Sequence, residues 1–111
     1  KKMRYGWMPA HPTFYMKKSI YKSLGGFKLN YKISSDYESM LRYMYVADTK
    51  SFYLTRCLVK MRIGGKSNQN ISQILKKSKE DFRIMHEHNL PKYIAIIYKN
   101  LSKISQFRYL K

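Results

Sequence analysis

The sequence predicts an α/β fold in which a few strands and about four helices leave the sheet incomplete. Three observations predict it. The chain is 44% hydrophobic and 15% aromatic, which is the composition of a folded domain and excludes a disordered polycation. Apolar residues recur at helical spacing in several segments and alternate at strand spacing in one. A parallel sheet needs neighbouring strands and covering helices, and the chain supplies too few of either to close one.

The first predicted elements are a loop and a short helix. Two prolines interrupt the apolar run at residues 8–16, and proline donates no ladder hydrogen bond, so we predict a loop or a short edge strand there. A short helix follows at 19–24, with Ser19 as its N-cap and the pair Gly25–Gly26 as its C-terminal turn. Residues 27–33 lack a helical period and are predicted as a loop.

A second helix is predicted to begin near Ser35. Ser35 and Glu38 have the spacing of a capping box, and Asp36 falls in the first turn, where the helix dipole favours an anion. Arg42 lies off the apolar stripe of this helix. The stripe consists of Tyr37, Met40, Leu41, Met44 and Ala47.

Residues 52–63 are predicted as a strand with a basic face. Cys57, Val59, Met61 and Ile63 alternate there with Leu58, Lys60 and Arg62. A glycine turn at 64–68 ends the strand.

Two more helices complete the prediction. The apolar face of the first comprises Ile71, Ile74, Leu75, Ser78, Phe82 and Met85. After Asn89–Leu90–Pro91, the last helix has an apolar face at 94–110 flanked by Lys92, Lys99, Lys103, Arg108 and Lys111. Such a helix lies either on a membrane or partner surface or against its own protein. We therefore divide the chain into a folded portion at 1–88 and a basic amphipathic helix at 89–111.

The charge of the chain implies anionic partners. Its 23 Lys and Arg residues and 6 Asp and Glu residues give a formal charge of +17. Nucleic acid, an acidic membrane surface and phosphorylated small molecules all fit this charge, and part of it fits an ordinary solvated surface. The single cysteine, Cys57, excludes an internal disulfide framework and indicates a reducing compartment. No stretch reaches the ~18 apolar residues of a membrane-spanning helix.

Few residues of the chain are candidates for catalysis. Cys57 has no nearby histidine, and His86 and His88 are two positions apart, which places them on different helix faces. The two glycine pairs lack the pattern of a phosphate-binding loop. Asp36 is the one acid in a suggestive setting, because a carboxylate kept ionised there can take a proton from an alcohol. A first-turn aspartate is also a common partner of the helix dipole, so both interpretations stay open.

The order of these segments resembles that of a known family. The segments are H-P-x-x-F at 11–14, G-G-F at 25–27, S-D-Y-E-x-x-L-R at 35–42 and a basic strand ending in G-G-x-S-N. In this order they are similar to the C-terminal half of bacterial family 2 glycosyltransferases, the inverting GT-A enzymes that build surface polysaccharides. The similarity extends over roughly residues 7–82.

The resemblance implies a reaction and a set of site residues. Asp36 matches the catalytic base, which deprotonates the acceptor hydroxyl for attack on the anomeric carbon of a nucleotide-diphospho-sugar, with inversion. Arg42 matches the arginine of the same motif. The other substrate-binding residues implied are His11 in the sugar and acceptor cleft, Tyr37 and Glu38 beside the base, and Lys60, Arg62 and Lys66 near the diphosphate. Ser35 stands where many members have an acid, and no histidine follows Arg62.

The resemblance also implies partners that the chain does not complete by itself. The nucleotide-binding half, with its Asp-x-Asp ligands for Mn²⁺ or Mg²⁺, is absent from the sequence, so we expect an acceptor-side fragment that is inactive alone and able to self-associate. Its acceptor would be a saccharide or a lipid-linked saccharide at the cytoplasmic face of the cell membrane. Two alternatives remain: a non-enzymatic nucleic-acid-binding module, and a membrane adaptor that uses only the last helix.

Overall fold

Three α-helices joined by shorter helical turns make up the computed structural model of the chain, which describes residues 2–60 and 71–91 together with Tyr93 and Ile97. In chain order the α-helices are α1 at Lys18–Leu24, α2 at Ser35–Leu41 and α3 at Ile71–Glu87. Two 3₁₀ turns, Lys2–Tyr5 and His11–Thr13, precede α1, and a π-helical turn, Arg42–Val46, continues α2.

The predicted α/β class is wrong for the described part of the chain, which is a small helical domain without strands. The described portion of the predicted strand, residues 52–60, has no regular secondary structure. Phe52 and Tyr53 within it are 89% and 83% exposed. Alternation of apolar and polar residues is not sufficient for a strand, because the backbone groups of a strand need a paired neighbour, and no other described segment provides one. Residues 61–63 of that strand lie outside the described residues.

Helix α1 follows the prediction closely. It begins at Lys18, one residue before the predicted start, and its N-cap is Lys17 without a side-chain cap. Its C-terminus is the predicted glycine turn, since Gly25 has φ +81° in the left-handed region that side chains disfavour.

Helix α2 begins where the sequence indicates, but without the predicted capping box. Ser34 is the N-cap, and its carbonyl accepts the first helical hydrogen bond, from the Glu38 amide at 3.0 Å. Ser35 is already helical, and its hydroxyl donates to the Lys28 carbonyl at 3.0 Å. The shift of one residue places Glu38 beyond the position from which a box glutamate reaches back to the N-cap.

The core lies where α2 packs against the second half of α3. Tyr37, Met40 and Leu41 of α2 are buried as predicted, whereas Ala47 is exposed. The fully and nearly buried apolar residues of this cluster are Met3, Tyr31, Tyr37, Met40, Leu41, Ile84, Met85 and Leu90.

Only the C-terminal half of α3 is covered. Ile84 and Met85 are fully buried, but Ile74 and Leu75 on the predicted apolar face are 40% and 59% exposed. Helix α2 has 7 residues against 17 in α3, so at about 1.5 Å per residue it is too short to cover the whole of its neighbour.

Helix α3 ends in a Schellman motif at the predicted break. Asn89 adopts φ +52°, its amide donates to the His86 carbonyl, and the Leu90 amide donates to the Met85 carbonyl at 2.8 Å. Leu90 and Met85 then meet in the core. Of the predicted helix at 89–111, the structure describes residues 89–91, Tyr93 and Ile97, and the last two are helical. Among the described helices, none is long and apolar enough to cross a membrane.

Candidate functional site

An open pocket of about 270 Å³ lies between the His11–Thr13 turn, α1, the loop before α2, and α2 itself. Aromatic rings form much of its lining. The Phe27 ring packs edge-on against the His11 ring at 5.8 Å and against the Tyr21 ring at 6.5 Å between centroids. Two buried residues line it, Ser39 from α2 and Tyr43 from the π-helical turn that continues α2, and the exposed Lys18 lines it from α1.

Asp36 lies one helical turn from this pocket. The Asp36 carbonyl accepts a hydrogen bond of 2.9 Å from the hydroxyl of Ser39, a pocket residue. The Asp36 carboxylate is partly exposed, and its Oδ1 accepts a bond of 2.8 Å from the Tyr37 amide. This bond fixes the orientation of the carboxylate, and its second oxygen has no hydrogen-bond partner among the described residues.

Glu38, two residues later, has a different environment. Its side chain is fully buried. The carboxylate forms ion pairs with Lys28 Nζ at 3.0 Å and Arg42 Nη2 at 3.2 Å, and it lies 3.2 Å from His88 Nε2. Burial by itself would raise the pKa of Glu38, but the hydrogen bonds from Arg42 and Lys28 outweigh it and hold this pKa below its usual range. Glu38 is therefore an ionised structural group enclosed by cations.

Arg42 connects Glu38 to the end of α1. Its guanidinium donates to the backbone carbonyls of Leu24, Gly25 and Gly26, the last at 2.6 Å. Burial disfavours the guanidinium charge, yet the Glu38 carboxylate outweighs this and raises the Arg42 pKa. The carbonyls at a helix C-terminus lack partners within the helix, and Arg42 supplies them.

Tyr43 adds a second link to the same turn. Its hydroxyl donates to the Gly25 carbonyl at 2.5 Å, while its ring lines the pocket. The turn also brings Gly26 so close to the Tyr21 ring that a Cβ on Gly26 would overlap it. By holding this turn, the Arg42 and Tyr43 contacts fix the position of the Tyr21 ring, and the bond to Gly25 fixes Tyr43 itself.

Glu80 on α3 holds the other end of the loop between α1 and α2. Its carboxylate accepts hydrogen bonds from the backbone amides of Lys32, Ile33 and Ser34 at 3.0, 2.9 and 2.8 Å. Burial opposes ionisation of Glu80, but these three amides outweigh it and lower the Glu80 pKa. From the sequence, Glu80 falls only on the polar face of the predicted helix. No sequence pattern marks it, because its partners are backbone groups 46–48 residues away.

The structure separates the predicted site residues. His11 lines the pocket, Asp36 is next to it, and Arg42 is bound to the α1 turn. Tyr37 is buried in the core, where burial raises the pKa of its hydroxyl. Lys60 is exposed at the end of the 52–60 segment, and Arg62 and Lys66 lie outside the described residues. The pocket residues that the sequence did not predict are Phe14, Met16, Lys18, Tyr21, Phe27, Ser39 and Tyr43.

Neither the potential metal ligands among the described residues nor comparison with known proteins assigns a further role to this site. Within residues 2–60 and 71–91, no group of three or more His, Cys, Asp or Glu side chains could hold a metal ion, so the metal implied by the resemblance does not fit there. Comparison with protein-family models, curated proteins and solved structures gives no match.

Proposed function

We propose that this chain is the acceptor-side part of an inverting glycosyltransferase for surface polysaccharide, with Asp36 as its general base. The observation that carries the proposal is the contrast between the two acids of the S-D-Y-E segment. Asp36 is partly exposed and adjacent to an aromatic pocket, and Glu38 is fully buried among cations. A general base must reach the proton that it removes, and of these two carboxylates only Asp36 is accessible to a substrate.

The proposed chemistry needs one carboxylate oxygen. The amide of Tyr37 holds Oδ1 of Asp36, which leaves Oδ2 to accept the proton of an acceptor hydroxyl. The acceptor oxygen then forms a bond to the anomeric carbon of the donor sugar, the bond from that carbon to the nucleotide diphosphate breaks, and the configuration inverts. The developing negative charge on the diphosphate requires cationic stabilisation. By the resemblance, Lys60, Arg62 and Lys66 would provide part of it.

The proposal includes a location at the inner face of the cell membrane. The chain has a formal charge of +17, and a basic residue near an anionic bilayer contributes about 1 kcal/mol to binding. An enzyme held there would meet lipid-linked acceptors. The divalent metal of the family would be bound by residues outside this chain.

Replacement of Asp36 by asparagine in the natural-length protein tests the proposal. Asparagine preserves the size and the hydrogen bond to the Tyr37 amide but cannot take a proton. We expect sugar transfer to fall by about 10²–10⁴-fold with donor binding unchanged, since this is the usual contribution of a general base. Asp48→Asn is the matched control, because Asp48 is exposed and its φ of +45° suits asparagine.

Two results would contradict the proposal. Near-normal transfer by the Asp36→Asn protein would remove Asp36 from catalysis. Binding of one oligonucleotide sequence in preference to others, without any sugar transfer, would favour a nucleic-acid-binding module instead. Salt-sensitive binding to any polyanion would not separate the two, because a chain of this charge binds polyanions without specificity.

A further inference from the structure

The pocket beside α2 has a lining that is aromatic and basic. Phe27, Tyr21 and His11 place rings around it, and Lys18 adds an ammonium group at its exposed side. None of the residues that line it is acidic. Aromatic ring faces carry partial negative charge and attract the C–H groups of a sugar ring, while a lysine without an acidic neighbour attracts an anion.

The interior of the pocket has hydrogen-bonding groups that a sugar can use. The Ser39 hydroxyl donates to the Asp36 carbonyl, so its oxygen lone pairs remain available to accept a hydrogen bond from a ligand. The Tyr43 hydroxyl donates to the Gly25 carbonyl and accepts a hydrogen bond from Arg42. Both residues are almost fully buried, at 2% and 3% exposure, and their positions are fixed by these bonds. A rigid polar floor with aromatic walls is typical of small-molecule sites.

The size of the pocket restricts the ligand. At about 270 Å³ it falls just below the range of roughly 300–1,000 Å³ for ligand pockets. A single sugar ring with one anionic substituent suits this volume better than a whole nucleotide-sugar. Because the Ser39 hydroxyl is bound to the backbone carbonyl of Asp36, a ring that contacts Ser39 would lie within one helical turn of the proposed base.

We infer that the pocket binds a saccharide ring that carries an anionic group, with Lys18 as the residue that selects for the charge. The inference rests on the proposed function, in that the ring would be the acceptor. The anionic group has two chemical sources, a phosphate, as in a sugar phosphate or a lipid-diphosphate-linked sugar, and a carboxylate, as in a uronic acid. Either group would place its negative charge beside the Lys18 ammonium.

NMR titration of the chain at about 0.15 M salt tests the inference with four probes: glucose 1-phosphate, glucuronate, glucose and inorganic phosphate. We expect one of the anionic sugars to saturate the amide signals of Phe27 and Ser39, and to bind at least about tenfold more tightly than glucose or inorganic phosphate. The anionic sugar that binds more tightly identifies the source of the charge. Binding of glucose or inorganic phosphate as tightly as both anionic sugars, or titration without saturation, would overturn the inference.

Matched variants separate this pocket from the general charge of the protein. Lys18→Gln should weaken binding by about tenfold, whereas Lys22→Gln, an exposed lysine of α1 outside the pocket, should leave it unchanged. Phe27→Leu should weaken binding because the ring is lost, and Phe52→Leu, at an 89% exposed position, is its control. Equal effects within each pair would overturn the assignment to the pocket.

The two proposals fail differently. If Lys18→Gln binds the anionic sugar normally while Asp36→Asn abolishes transfer, the pocket inference is wrong and the proposed base stands. If Lys18→Gln weakens binding while Asp36→Asn transfers sugar normally, the pocket remains a saccharide site and the catalytic proposal is wrong.

Discussion

Replacing Glu38 by glutamine removes the one negative charge that Lys28, Arg42 and His88 share. Glutamine keeps the shape of the side chain but leaves the partly buried guanidinium of Arg42 without a counter-ion. Loss of one partner of a buried ion pair costs about 3–5 kcal/mol. Because the Arg42 and Lys28 side chains are 15% and 40% exposed and can recover some hydration, we expect the low end, about 3 kcal/mol.

The assay is thermal and urea unfolding followed by circular dichroism. Each 1 kcal/mol shifts the melting temperature of a domain of this size by about 4–8 °C, so Glu38→Gln should lower it by at least about 12 °C. Asp48→Asn removes an exposed carboxylate and should change the unfolding free energy by no more than about 0.5 kcal/mol.

The pH dependence provides a second measurement on the same variant. The pKa of Glu38 is lower in the folded protein than in the unfolded chain. Its stabilisation is therefore complete above the unfolded pKa of about 4.3 and is lost as the pH falls through the folded value. The difference in unfolding free energy between wild type and Glu38→Gln should narrow as the pH drops below about 4. A difference under 1 kcal/mol at neutral pH, or one that does not narrow in acid, would refute this account of Glu38.

Three further predictions concern the loop, the α1 turn and the tail. Glu80→Ala should lower the unfolding free energy by about 2 kcal/mol, measured by urea unfolding, because the amides of residues 32–34 lose their charged acceptor; an unchanged midpoint would contradict this. Gly25→Ala should cost about 1–2 kcal/mol in the same assay, since φ is +81° there, and an unchanged stability would show that the turn adapts. Binding to liposomes should rise with anionic lipid content and fall on deletion of residues 94–111, and sedimentation that is unaffected by the deletion would exclude a membrane role for the tail.

The features predicted correctly are those that neighbouring residues determine. The end of α1 depends on Gly25, the start of α2 on the serines around residue 34, and the end of α3 on Asn89. Each is a matter of local backbone conformation and capping, which sequence patterns record directly. The predicted strand failed because its stability depends on a partner elsewhere, which an alternating pattern does not identify.

The role of Glu38 shows why a local pattern can mislead. A serine followed three residues later by a glutamate fits a capping box, and the sequence offers no reason to prefer another role. Whether Glu38 caps the helix or binds buried partners depends on His88, which is 50 residues away, and on Lys28 in the preceding loop. Of the predicted site residues, His11 lines the pocket. Phe27, which packs against His11, and Tyr21, which packs against Phe27, were missed because the sequence does not show which aromatic rings meet in space.

The loop between α1 and α2 is fixed at both ends by charges of opposite sign. At its start, the Arg42 guanidinium binds the carbonyls of residues 24–26, and at its end the Glu80 carboxylate binds the amides of residues 32–34. Phe27 lies between these two attachments and forms a wall of the pocket. A cation that satisfies carbonyls and an anion that satisfies amides leave the loop little freedom to rearrange. The pocket is therefore preorganised by residues that do not line it, and a ligand that binds there need not supply the free energy to order this wall.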